Sequence, residues 1–268
     1  MIYTTHGVIK SFEKQKFCHS GFLDKDLFIA HLSNRKEKYV SLEEALEQKG
    51  DALTIDDSLN GGFEAAVLCR ELGHEVSLFI NPFYIQNQFL YWFCLLNIFL
   101  DSDKKKEVFW EGKKYSLGDF SSKLRFRLEL KSAIAKLSPQ NSLSALQFIF
   151  QREVDQTLVS PFHLNVLTVD DLKKALSLGV DIHNHGWTHC QITAFKNSEL
   201  EEEIFKSKNW LNTSLGIDSN FYAVPFGKDL PPNRYDFKNC STWFLAYDIL
   251  TYGKVGPRIY NRQSLLLD

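Results

Sequence analysis

The hydrophobic positions of the chain fall into short buried runs and longer amphipathic stretches. Met1-Ile2-Tyr3-Thr4-Thr5 opens a strand at once. Ala52-Leu53-Thr54-Ile55 reads as a strand covered on both faces, because it is apolar without alternation, and it ends in two carboxylates, Asp56 and Asp57. Gly73 to Ile80 finishes a second strand-helix unit with Val76-Ser77-Leu78-Phe79-Ile80. The stretch from Pro82 to about Asn165 then exceeds what one crossover of roughly 30 residues needs, and reads as an insertion. It holds the apolar run Phe89 to Leu100, a charged break from Asp101 to Glu107, a hairpin through Trp110-Glu111-Gly112-Lys113-Lys114-Tyr115, and then amphipathic helix patterns. The apolar run is too short to cross a membrane, which takes about 20 residues. It predicts a buried helix, with an exposed aromatic surface for a sugar chain or lipid carrier as the other reading.

Two motifs carry chemistry. Asp56 and Asp57 arrive together at a strand end, and alternation predicts that they point to opposite sides and do different jobs. In His185-Gly186-Trp187-Thr188-His189 the histidines are four apart, which on a turn of helix or a tight helical loop sets both imidazoles on one face. One carboxylate and two imidazoles form a mixed oxygen and nitrogen set suited to zinc, with cobalt, nickel or iron as alternatives, and three ligands leave a position open. A nucleotide hydrolase's magnesium strand is excluded by the lack of a G-x-x-x-x-G-K-[ST] loop; Tyr252-Gly253-Lys254-Val255-Gly256 has the wrong order and spacing.

In their order along the chain, Thr54-Ile55-Asp56-Asp57, then Gly179-Val180-Asp181-Ile182 before His185 and His189, then Phe221-Tyr222-Ala223-Val224-Pro225-Phe226-Gly227 resemble the motifs of the polysaccharide deacetylases, carbohydrate esterase family 4. Tyr3 to Val8 resembles the family's opening strand and Ser41 to Leu46 the short helix before the Asp-Asp strand. Leu167 to Leu172 resembles the helix entering the histidine motif, and Glu201 to Leu215 the long helix after it. The resemblance implies an α/β fold: a distorted (β/α) barrel of about seven parallel strands, residues 1–268 as one domain with a helical insertion at about 82–165, and a site at the C-terminal strand ends. It implies that Asp57, His185 and His189 hold the metal and that Asp56 is the general base for the attacking water. Pro225-Phe226-Gly227 would stabilise the oxyanion through a backbone N–H, Phe226 standing where the family usually has Tyr.

The chain departs from the family pattern at several places. Ser58 follows the Asp pair in place of Gly, with Gly61-Gly62 nearby to supply flexibility. Gly186 stands for a Ser or Thr, and Ala223 for the Arg that orients the base in many members. No histidine follows His189, so the late histidine that protonates the leaving amine has no counterpart. Arg258, in Val255-Gly256-Pro257-Arg258-Ile259, falls where the final strand is expected and is a candidate substrate contact, although arginine gives up no proton near neutral pH. His6, just past the first strand, is the best-placed remaining histidine to act as the acid, to steady Asp56 or to hold a sugar hydroxyl. A hydrogen-bonded turn histidine beside Gly7 is the plainer reading. His163 and His183 read as structural or surface histidines.

Composition narrows the partners. At 268 residues, 44% hydrophobic and 24% charged, the chain can bury a large core. A net charge of -2 argues against nucleic acid. Cys18, Cys69, Cys94, Cys190 and Cys240 form no C-x-x-C pair and read as reduced, mostly buried thiols. The N-terminus has no signal-peptide pattern, so the cytoplasm is the expected location. The expected activity is metal-dependent removal of an acetyl group from an acetamido sugar in surface polysaccharide biosynthesis, such as lipopolysaccharide or capsule. The substrate would be nucleotide-linked, lipid-linked or an oligosaccharide. The alternatives are hydrolysis of another amide or ester, such as a formyl-sugar or O-acetyl group, and carbohydrate binding on a decayed site.

Overall fold

Seven parallel strands pair in chain order and close on themselves: β1 (Ile2–Thr5), β2 (Ala52–Asp56), β3 (Ser77–Ile80), β4 (Asp181–Asn184), β5 (Phe221–Ala223), β6 (Trp243–Tyr247) and β7 (Ile259–Ser264), which returns to β1. The computed structural model describes residues 1–11, 13–102, 104–151, 160–227, 242–247, 253–256 and 258–267. The result is the distorted (β/α) barrel that the family resemblance implies. Its distortion is visible in the pairing, since β4 and β5 share only Asn184 with Tyr222 while β1 and β2 are aligned over their whole length. Gly253–Gly256 pairs antiparallel with β7.

The helices are α1 (Lys25–Asn34), α2 (Leu42–Leu46), α3 (Asn60–Glu71), α4 (Pro82–Asn87), α5 (Trp92–Ser102), α6 (Phe120–Ile134), α7 (Pro139–Phe150), α8 (Val169–Ser177) and α9 (Asn197–Leu215). Capping boxes start α2 and α8, where Ser41 pairs with Glu44 and Thr168 with Asp171 and each satisfies otherwise orphaned N–H groups. Leu53, Ile55, Leu78, Ile80 and Ile182 face outward and bury against Ala65, Ala66 and Cys69 of α3, Leu172 and Ala175 of α8 and Leu211 of α9. Ile2, Ala52, Phe79, Ala223 and Leu245 form a separate cluster that Leu42 and Ala45 of α2 join. Alternation thus gives β2 its outward pair, Leu53 and Ile55, and turns Thr54 and Asp56 to the interior.

Between β3 and α8 the chain builds α4 to α7 and a hairpin, Glu107–Trp110 with Lys113–Ser116. The hairpin turns on Glu111 and Gly112, both at positive φ, as a two-residue turn requires. Leu95, Leu96 and Phe99 of α5, Phe126 and Leu130 of α6, and Leu146 and Phe150 of α7 make a core of their own. The apolar run is therefore a buried helix, although Phe89 before it is 42% exposed. Among the described residues, no helix is long and apolar enough to cross a membrane.

The exit of β1 is seated directly on α3. A Cβ on Gly7, whose φ is +133°, would lie 2.3 Å from the Gly61 carbonyl carbon, and one on Gly61 would lie 2.6 Å from the Phe22 ring. Gly61 and Gly62 thus serve close packing inside α3 rather than the flexibility read from the sequence. Gly7→Ala is expected to destabilise the fold by about 3 kcal/mol or more through overpacking and backbone strain. An unchanged melting temperature would contradict this seat.

Candidate active site

Asp56 ends β2, and Asp57 follows with φ +71°. This left-handed residue breaks the alternation, so both carboxylates line one cavity of about 260 Å³ with His6, His185, His189 and Arg262. Contrary to the opposite sides that strand alternation predicts, the two Asp differ in their partners, not in the space they face. His185 leaves β4, and the stretch to His189 is an irregular loop, not the predicted helical turn, with Gly186 at φ +84° and His189 at φ +57°. Asn81, just after β3, donates to the carbonyls of His185 and Gly186, and Asn184 Oδ1 accepts from the Gly186 N–H. Buried Glu203 of α9 accepts from the N–H and hydroxyl of Thr188. A Cβ on Gly186 would come within 3.1 Å of the Tyr222 hydroxyl, which explains glycine at this position.

Asp57 Oδ1 lies 3.1 Å from His189 Nε2 and 3.6 Å from His185 Nε2, and all three residues are buried. Ligand atoms held at 2.0–2.2 Å by a tetrahedral cation stand about 3.3 Å apart, so these distances fit one. Asp57 Oδ1 has no hydrogen-bond donor, a costly state for a buried oxygen that a cation relieves. His185 Nδ1 lies 2.9 Å from the Ala223 carbonyl and donates to it, which leaves Nε2 as the ligand atom. Burial lowers the pKa of His185 to about 4, keeping it neutral and able to ligate near pH 7. Burial would push the Asp57 carboxyl up, but the adjacent His189 more than offsets this and holds it below the usual range. The donor set therefore fits a divalent cation, and among the described residues these three could hold it.

Asp56 is engaged differently. Arg262 of β7, 1% exposed, grips it with Nη1 to Oδ1 at 2.7 Å and Nη2 to Oδ2 at 2.6 Å, and Nη1 also reaches Thr54 Oγ1 at 3.0 Å. Burial works to raise the Asp56 pKa; the Arg262 charge, followed by His185, brings it below the usual carboxylate range. Arg262 thus pairs with Asp56 where Ala223 has no side chain to do so, a contact that the motifs do not reveal. Arg258, the arginine expected at the substrate, is not at this site: it stands before the start of β7, over the Trp243 ring, at the opposite end of the barrel. The two arginines are four positions apart, about 13 Å along an extended chain.

Of the remaining candidates, His6, Phe226 and Gly227 line the cavity. Pro225 has no N–H, and that of Gly227 is committed to the Val224 carbonyl, so Phe226, at φ +61°, is the segment's remaining donor. Its ring packs edge-on against His189. Cys190 donates to the Leu137 carbonyl and stays outside the cluster. Cys18, Cys69, Cys94 and Cys190 are free and buried; Cys240, like Tyr252 and Pro257, lies outside the described residues. His163 bonds to the Cys18 carbonyl and His183 to Ser219.

The polysaccharide deacetylase family model matches residues 129–240, a span that includes His185, His189 and the Phe221 to Gly227 motif but not Asp56-Asp57. Among solved structures, the chain is similar to the Streptococcus pyogenes deacetylase PplD in complex with acetate, at 12% identity and TM-score 0.60 over 100% of this chain and 92% of that one. It is similar to IcaB from Ammonifex degensii at 11% identity and TM-score 0.57, over 99% and 91%. Similarity to BC0361, a polysaccharide deacetylase from Bacillus cereus, is 13% identity and TM-score 0.56, over 98% of this chain and 63% of that one. No curated protein matches the chain. The resemblance drawn from the motifs thus holds both for the family model and for the fold.

Two buried histidines make the metal-free protein sensitive to acid. Burial lowers His183 to about 3 and His185 to about 4, both from 6.5. Below about pH 6.5 the unfolded chain gains protons that the folded one refuses, so stability falls as pH drops toward those values, by about 2 kcal/mol per histidine at pH 5. Asp56 and Asp57, with depressed pKa values, add losses only at lower pH. Urea unfolding of metal-free protein at about pH 7.5 and pH 5 measures this, and equal stability at both would contradict it.

Proposed function

We propose that this chain is a metal-dependent deacetylase that hydrolyses the acetamide of an acetamido sugar during synthesis of a surface polysaccharide, with zinc the best match to the ligand set. The observation that carries the reading is the convergence of Asp57 Oδ1, His185 Nε2 and His189 Nε2 beside a second carboxylate, Asp56, that is committed to Arg262 instead. A divalent cation in that set would polarise the acetyl carbonyl and make water easier to deprotonate. Asp56 is the base: it takes the proton of the attacking water, while Arg262 keeps it ionised and fixes its direction. The Phe226 N–H faces the charge that develops on the carbonyl oxygen. His6 gives a proton to the leaving amine.

Acetate release from a panel of acetamido sugars, by chelated protein with and without added zinc, tests the reading; no release from any of them would reject it. Asp57→Asn should lose the metal. Asp56→Asn should retain metal and fold yet turn over about 100-fold more slowly or worse, the usual effect of removing a positioned base. Identical metal contents in the two variants would overturn this division of labour.

His6→Ala should leave metal content and melting temperature near wild type and lower kcat for an unactivated acetamide. It should harm an activated ester much less, because a good leaving group needs little protonation. Equal losses on both substrates, or none on either, would remove His6 from the acid's role.

A further inference from the structure

We propose that the acetamido sugar carries an anionic group, a phosphate or a carboxylate, and that Arg127 and Lys131 of α6 bind it; this rests on the deacetylase reading above. Both residues come from the inserted segment, four positions apart and therefore on one face of the helix, and both line the cavity that contains Asp56, Asp57, His185 and His189.

Arg127 is half-buried, and its hydrogen bonds go to neutral side chains: Nε donates to Asn97 Oδ1 at 2.7 Å and Nη2 to Ser20 Oγ at 3.2 Å. Among the described residues no carboxylate pairs with it. Asp101, the acid whose field reaches it, accepts from the backbone N–H groups of Phe17 and Cys18. Lys131 holds its ammonium 5.2 Å from the centre of the Phe226 ring, beside the segment assigned to the oxyanion. The carboxylates that share the cavity are already matched, Asp56 by Arg262 and Asp57 by the cation its ligand set fits.

A partly desolvated guanidinium without a paired carboxylate gains when an anion completes it. The planar fork of arginine suits the paired oxygens of phosphate or carboxylate, and lysine adds a point charge. A neutral glycan would bring Arg127 no such partner. The inserted helices would then make the deacetylase selective for sugars bearing negative charge.

The test uses the full chain in two readouts: calorimetric binding to metal-free protein, and kcat/KM for acetate release with zinc. The probes are N-acetylglucosamine, its 1-phosphate, and an N-acetylated amino-uronic acid. Wild type should favour one or both charged sugars over the neutral one by about tenfold or more, and which charged sugar leads separates phosphate from carboxylate. Arg127→Gln and Lys131→Met should each shrink that preference several-fold through KM rather than kcat, and Arg127→Lys should keep part of it. Should Arg127→Gln fail to fold, Lys131→Met and Arg127→Lys still carry the comparison. Equal binding of charged and neutral sugars by wild type, or a preference untouched in these variants, overturns the proposal. Absence of acetate release from every sugar overturns the deacetylase reading instead, and the binding preference still reports on Arg127 and Lys131.

Discussion

The bidentate ion pair between Asp56 and Arg262 is the constraint on which the rest of the site depends. It spans the barrel mouth from β2 to β7, past β1, and both partners are buried. Such a pair adds little stability over an apolar replacement, but breaking one side costs about 3–5 kcal/mol by leaving a buried charge alone. Its more specific consequence is chemical. With both oxygens of Asp56 held by Arg262, Asp57 is the carboxylate left to face the two histidines, and its left-handed backbone turns it to them.

A second network holds the histidine loop in position. Tyr91, which leads into the inserted helix α5, accepts from the Ser58 N–H and donates to Asn81 Oδ1, and Asn81 donates to the carbonyls of His185 and Gly186. Ser58 Oγ in turn accepts from the Asn81 N–H. The exits of β2, β3 and β4 are thereby tied to one another and to the insertion. Irregular backbone at His185 to His189 is tolerated because the N–H groups of His185, Gly186 and Thr188 and the carbonyls of His185, Gly186 and Trp187 all meet partners. The segment between β3 and α8 therefore supplies part of the wall of the cavity and part of the scaffold under His185 and His189.

Much of this was legible in the residues. The apolar run ending in Asp56-Asp57 and the spacing of His185 and His189 located the site, and the capping residues Ser41 and Thr168 begin helices as their residue types favour. Other features escaped because they arise from tertiary geometry. Strand periodicity could not show that Asp57 leaves β conformation, and four-residue spacing could not distinguish a helix from a loop pinned by Asn81 and Glu203. Arg262 was missed because β7, Ile-Tyr-Asn-Arg-Gln-Ser, has no apolar run to mark it. The available clue was parity: Arg262 shares its face of the strand with Tyr260 and Ser264, and a basic residue there points to a buried acid.

The proposed function divides the labour between adjacent carboxylates, Asp57 ligating and Asp56 poised as base. A crystal structure with zinc bound, with anomalous scattering recorded at the zinc edge, tests it most directly. One strong peak bonded to Asp57, His185 Nε2 and His189 Nε2 is expected, with Asp56 still paired to Arg262 and outside bonding distance. A peak bonded to Asp56 with the Arg262 pair broken, or no peak among these residues, would contradict it.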